Sequence, residues 1–114
     1  MTTTQPTYLP PADGVLYILH QFTVPAGKRV ISYSATAVNA GANETTRCGV
    51  RANGTFLSIH VANIGTQAGG TFASTISGVT FNDSSVPYTL DLVCSHDGSG
   101  GVPYIESGAE VAVY

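Results

Sequence analysis

The chain has 114 residues, of which only 10% are charged, and it is long enough to bury a core of its own as one domain. Its net charge of −3, with four Lys and Arg residues in all, excludes the cationic surface that nucleic-acid binding requires. No apolar run approaches the ~20 residues of a membrane-spanning helix, and no secretion signal is recognisable at the N-terminus. We therefore expect production in a cytoplasm, with no nucleic-acid or membrane partner.

Residues 1–14 are predicted to form an extended arm that precedes a body of residues 15–114. Prolines and threonines favour extended backbone here, and the segment has no periodic apolar face. Two interpretations stay open. The segment is a frayed terminus, or it is an arm that orders on a neighbouring protein through Tyr8, Leu9, Pro10 and Pro11.

The body is predicted to consist of β-strands. Val15–Val24 is mostly apolar, Pro25–Lys28 has the composition of a turn, and Val30–Val38 alternates apolar with hydroxyl side chains. Further apolar runs follow, separated by loops rich in Gly, Asn and Ser, and no segment has a helical period. This pattern predicts an all-β protein, an antiparallel β-sandwich of jelly-roll type with seven to nine short strands.

Residues 47–62 predict a hairpin around Asn53-Gly54, a dipeptide that tolerates positive φ at both centres of a type I′ turn. In that register Ala52 faces Thr55, Arg51 faces Phe56, Val50 faces Leu57 and Cys48 faces Ile59. The inner face then carries Cys48, Val50, Leu57, Ile59 and Val61. The outer face carries Arg47, Arg51, Phe56 and His60, a mixture of cations and aromatic rings that is enriched at protein interfaces, and we predict that it binds a partner.

Two cysteines, Cys48 and Cys94, fall at predicted inward positions of different strands. We favour free, buried thiols, because unpaired Cys behaves as a small hydrophobic residue. A disulfide that links the two layers of the sandwich is the alternative. A two-cysteine metal site is disfavoured because the chain has no C-x-x-C spacing.

The candidates for catalysis are weak. His96, Asp97 and Ser99 lie close together in the sequence, but neighbours on a Gly-rich loop cannot converge as a catalytic triad does. His20 and His60 have apolar or aromatic neighbours and are expected to be partly buried. We predict no enzyme activity, no catalytic residue, no metal site and no cofactor.

The segment FTVPAGKRVISYSATA and the closing YIESGAEVAVY resemble the small jelly-roll domains of tailed-bacteriophage virions. The strand–VPAG–strand opening is also similar to C1q-like and tumour-necrosis-factor-like trimeric heads. The phage resemblance implies a non-enzymatic capsid decoration (cement) protein on the virion surface, with the major capsid protein and itself, as a homotrimer, as partners. The alternative is a tail-fibre or receptor-binding tip that recognises a host-surface glycan through residues 39–43, 63–70 and 95–101.

Overall fold

The computed structural model describes residues 1–9, 14–39, 44–63, 72–97 and 103–114. Within these ranges, nine strands form two antiparallel sheets that pack as a sandwich, which confirms the predicted fold class. The same ranges contain no helix that could cross a membrane. The strands are β1 (Thr7–Tyr8), β2 (Tyr17–Val24), β3 (Gly27–Asn39), β4 (Thr45–Ala52), β5 (Thr55–Asn63), β6 (Phe72–Ser84), β7 (Tyr88–Asp97), β8 (Tyr104–Ile105) and β9 (Glu110–Val113).

The five-stranded sheet has the order β1-β8-β3-β6, and β9 also pairs with β3. The four-stranded sheet has the order β2-β7-β4-β5. Most connections cross from one sheet to the other, which is the interleaving expected of a jelly roll. Strands β3 and β6 have 13 residues each and are longer than the short strands that we predicted.

The core lies between the two sheets and is built from alternate residues of each strand. Strand β3 contributes Ile31 and Tyr33 together with two alanines, at the inward positions that the alternation predicted. The four-stranded sheet contributes Val50, Leu90 and Leu92, all fully buried. Each sheet therefore has one face in the core and one outer face, and the outer faces are the surfaces that a partner can reach.

The Asn53-Gly54 turn forms as predicted, with φ of 49° and 84°. The first two pairs, Ala52 with Thr55 and Arg51 with Phe56, are confirmed. Beyond them the predicted pairing is wrong, because the register shifts and Val50 faces Ser58, while Cys48 faces His60. One extra residue in a β-bulge turns every later side chain of the strand to the opposite face. Ile59 and Val61, predicted to be inward, are consequently exposed.

Cys48 and Cys94 form a disulfide. The free thiols that we favoured are thus wrong. The disulfide that we gave as the alternative is present, but it does not link the two layers, because β4 and β7 are neighbours in the same sheet. The two cysteines are direct partners on antiparallel strands, with their Cα atoms 4.1 Å apart. This proximity arises from the pairing of strands distant in sequence, which no local pattern reports.

Residues 1–9 lie along the edge of the five-stranded sheet. The N-terminal ammonium donates to the Val111 carbonyl at 2.8 Å, and the Thr3 amide donates to the Ala109 carbonyl at 2.8 Å. β1 pairs with β8, and Leu9 is buried in the core. Leu9, which we predicted as a partner contact, is therefore occupied within its own chain, whereas Tyr8 is exposed. Pro10 and Pro11 lie outside the described residues.

Substituting Leu9 by Ala should lower the free energy of unfolding by about 2 kcal/mol, measured by chemical denaturation. We expect the low end of the range for buried Leu, because a terminal segment can detach while the sandwich stays folded. Tyr8→Ala is the matched control, since Tyr8 is 61% exposed and Leu9 only 1%. Equal effects of the two substitutions would contradict the anchoring role of Leu9.

Candidate protein-binding surfaces

The outer face of the four-stranded sheet, here called the four-stranded face, carries a row of three polar side chains and one aromatic ring across its four strands. Gln21, Asp91, Arg51 and Phe56 are successive cross-strand partners. The Gln21 amide donates to Asp91 Oδ1 at 3.0 Å, and the Arg51 guanidinium donates to Asp91 Oδ2 at 2.6 Å. The guanidinium carbon of Arg51 lies 5.9 Å from the centre of the Phe56 ring. The row is therefore ordered by contacts along its whole length.

The three predicted partner-binding residues Arg47, Arg51 and Phe56 share this face. Arg51 and Asp91 are largely buried, so their charges neutralise each other within the surface. Arg47 pairs with Asp97 at a more exposed position, where an ion pair contributes little to stability. Phe56 remains available for contact. That these residues bind a partner stays a prediction.

An apolar row that the sequence did not predict lies beside the polar one. Ile18 is opposite Val93, Val93 is opposite Gly49, and Gly49 is opposite Ile59. Val93 and Gly49, in the middle of the row, are buried, whereas the apolar side chains at its two ends are exposed. Ile18 is 49% exposed at one end, and Ile59 and the nearby Val61 are 42% and 56% exposed at the other. Register shifts in the pairings of β2 with β7 and of β4 with β5 produce this row, because they turn side chains outward that strict alternation would place inward.

His60 was predicted on the outer face with Arg51, and this placement is wrong. After the register shift His60 lies on the side of β5 that faces the other sheet, where its ring stacks on Tyr33 with centres 6.3 Å apart. The expected partial burial of His60 is also wrong, because the residue is exposed. Gly78 makes room for both rings, since a Cβ there would lie 2.6 Å from the Tyr33 hydroxyl. Burial raises the pKa of Tyr33, and the hydrogen bond with the Ser58 hydroxyl at 2.8 Å opposes that rise.

His96 was assigned to a loop, but it is a buried residue near the end of β7. Its Nδ1 lies 3.0 Å from the Thr46 hydroxyl, and its Nε2 lies 3.1 Å from the Glu44 carboxylate. Hydroxyl, imidazole and carboxylate in series resemble the connectivity of a catalytic triad. All three side chains are at most 2% exposed, so a substrate has no access to the hydroxyl in this conformation. We interpret this network as a buried interaction that stabilises the pairing of β4 with β7.

Among the described residues, no group of three or more His, Cys, Asp or Glu side chains could hold a metal ion. His20 Nε2 lies 3.1 Å from the Ala109 carbonyl oxygen, a hydrogen bond between the two sheets. This position agrees with the expected partly buried histidine.

The outer face of the five-stranded sheet, here called the five-stranded face, has an apolar patch at one end. Val30 pairs with Phe81 on β6 and, through two backbone hydrogen bonds, with Tyr114. In the next row Ser32 lies between Val79 and Ala112. Phe81, Tyr114 and Val79 are 78%, 72% and 68% exposed. We define the apolar patch as Val30, Val79, Phe81, Ala112 and Tyr114.

Charged and polar residues border the apolar patch on both sides along the strands. Lys28 is opposite Asp83 on one side, and Ser34 lies between Glu110 and Ser77 on the other. Two shallow depressions lie at these two borders of the patch. One of about 380 Å³ lies beside Phe81 and Lys28, and one of about 280 Å³ lies beside Val79, the serines and Glu110.

Comparison with protein-family models and with curated proteins gives no match for this chain. The resemblance to phage virion proteins accordingly stays an expectation.

Proposed function

We propose that the chain is a non-enzymatic structural protein of a tailed-bacteriophage virion, a decoration protein that binds the outer capsid shell and stabilises it. The observation that carries the proposal is the exposure of large apolar side chains on both outer faces of the sandwich. Contiguous exposed apolar groups mark surfaces that bind other proteins. A compact domain with such groups on two opposite faces is suited to contact two neighbours at once, as a decoration protein does.

The four-stranded face is the surface that we assign to the capsid protein. It combines an Arg and an aromatic ring, which are enriched at protein interfaces, with the exposed apolar side chains of Ile59 and Val61; the first pair is Arg51 and Phe56. Arg51 is already held by Asp91, so little side-chain entropy is lost when a partner covers it. The major capsid protein would therefore meet a rigid and largely neutral surface.

The N-terminal segment offers one exposed aromatic residue, Tyr8, as a further candidate contact. Tyr8 is exposed and its ring centre lies 5.6 Å from that of Tyr104, which holds it in place on the surface. Tyr104 is opposite Val38, so Tyr8 lies on the outer side of the five-stranded sheet, away from the four-stranded face. We retain Tyr8 only as a contact with a neighbour on that opposite side, and we remove Leu9 because it is buried in its own chain. Tyr8→Ala should therefore leave both the fold and binding through the four-stranded face unchanged.

Undecorated capsid shells of the phage that encodes the chain provide the test. In co-sedimentation, Val61→Asp should weaken binding at least about tenfold, because a carboxylate would be buried against the capsid. Val86→Asp is the matched control, since Val86 lies in the turn after β6 and is 59% exposed, against 56% for Val61. It should bind as the wild type does.

Two results would count against the proposal. Absence of wild-type binding to the shells would overturn the decoration function. Normal binding of Val61→Asp would overturn the assignment of the four-stranded face while leaving the function in place.

The alternative, a fibre tip that binds a host-surface glycan, is supported by one observation. The depression beside Val79 is bordered by Ser32, Ser34, Ser77 and Glu110, whose hydroxyl and carboxylate groups are able to hydrogen-bond to sugar hydroxyls. Residues 39–43, 63–70 and 95–101, where we predicted recognition, lie largely outside the described residues. Binding on a glycan array without binding to shells would favour this alternative.

A further inference from the structure

We infer that the apolar patch on the five-stranded face is an interface between two copies of this chain, which pair face to face about a two-fold axis. The inference goes beyond capsid binding and rests on different residues. It also departs from the homotrimer that the phage resemblance implies, because a surface that meets its own copy requires a two-fold operator. Three features of the face carry it: its side-chain sizes, its charges and its area.

The side chains of the five-stranded face are arranged in four successive rows across β9, β3 and β6. The first row has Lys28 and Asp83, and the second has the large residues Tyr114, Val30 and Phe81. The third row has the smaller residues Ala112, Ser32 and Val79, and the fourth has Glu110, Ser34 and Ser77. Large and small rows thus adjoin in the middle, with charged rows outside them.

A two-fold axis that runs across the strands, between the second and third rows, brings large residues onto small ones. Phe81 then lies over Val79 of the second copy, and Tyr114 lies over Ala112 of the second copy. Alternation of large and small side chains across a contact allows the two surfaces to interdigitate as in a protein core. In this arrangement the β3 strands of the two copies lie over each other and run antiparallel.

The charges select the same axis. The rotation places Lys28 over Ser34 of the second copy, one strand from Glu110 of that copy, so these unlike charges approach at both borders of the patch. Asp83 lies over Ser77 of the second copy, two strands away from Glu110. An axis parallel to the strands would instead place Lys28 over Lys28. Unlike charges at an interface border set its register, and like charges exclude alternatives.

The area is sufficient for a specific but modest interface. An aromatic side chain buries about 150–250 Å² when it is fully covered. Phe81 and Tyr114, each about three-quarters exposed, therefore supply on the order of 300 Å² per copy. With the valines and the polar border of both copies, the total reaches the ~1,000 Å² at which specific interfaces begin.

Sedimentation equilibrium of the full chain, from about 1 µM to about 1 mM, tests the inference. The wild type should approach twice the chain mass of 11.7 kDa. Val79→Asp should remain at the chain mass, with association weakened at least about 100-fold, because its carboxylate would be buried against Phe81 of the second copy. Val61→Asp and Val86→Asp, both exposed valines outside the patch, should dimerise like the wild type.

A charge reversal tests the register. Lys28→Glu and Glu110→Lys should each weaken association about tenfold, and the double variant should recover most of the wild-type affinity. A wild type that stays monomeric, or a mass of three chains, would overturn the two-fold pairing. Failure of the double variant to recover would overturn the axis across the strands. Since Val61→Asp acts on capsid binding and Val79→Asp on pairing, failure of one proposal is distinguishable from failure of the other.

Discussion

Replacing both Cys48 and Cys94 by Ala should lower the free energy of unfolding by about 4 kcal/mol. The disulfide closes a loop between residues 46 positions apart, and cross-links of this span restrict the unfolded chain by roughly 3–4.7 kcal/mol. Both cysteines are also fully buried, so Ala leaves unfilled space between Val50, Leu92 and their neighbours. The disulfide is thus expected to be the largest single covalent contribution to the stability of the sandwich.

Urea unfolding with and without a reductant measures this effect. Reduction should lower the unfolding midpoint of the wild type and leave that of the double Ala variant unchanged. The variant therefore serves as the control for any other action of the reductant. A wild-type midpoint that does not respond after complete reduction, verified by thiol titration, would contradict the prediction.

Gly49→Ala should destabilise the protein by about 3–4 kcal/mol. A Cβ at this position would lie 2.3 Å from the carbonyl oxygen of Ser58 and 3.0 Å from the Cα of Ile59. Both are backbone atoms of the adjacent strand, so no side-chain rotation relieves the overlap. Strand β5 has to move away from β4, which weakens the hairpin and the four-stranded face together.

Thermal unfolding of Gly49→Ala beside Val61→Ala provides the comparison. Val61 belongs to the same hairpin but is exposed, and its truncation should change the free energy of unfolding by less than about 1 kcal/mol. A small effect at both positions would mean that β4 and β5 tolerate a wider separation than the structure shows.

In the hairpin of β4 and β5, some features follow from neighbouring residues in the sequence, and others follow from pairing with strands distant in the sequence. Asn53-Gly54 determines the turn because only a few residue types accept positive φ at both positions, and the first two pairs follow from the turn. The shift beyond Arg51 depends on how β4 also pairs with β7, and on Tyr33 and Ser58 meeting across the sandwich. The placement of Arg47, Arg51 and Phe56 was therefore predictable, whereas that of His60 and Ile59 was not.

The apolar patch could likewise be predicted from the sequence only in part. Inward alternation from Ile31 to Ala37 places Val30 on the outer face, and this much can be read from the chain. That Phe81 and Tyr114 flank Val30 depends on the pairing of β3 with both β6 and β9, which lie some 50 and 80 positions away along the chain. The patch is built from three strands that are distant in the sequence, so the sequence pattern of any one strand does not predict it.

By itself, the sequence determined the all-β sandwich, the inward side of β3 and the turn of the hairpin, because alternation and backbone preference act over a few residues. Only the tertiary structure decided the disulfide, the burial of Leu9 and the composition of both outer faces. Each of these depends on which strands become neighbours and in what register. A shift of one residue in that register exchanges a core side chain for a surface one.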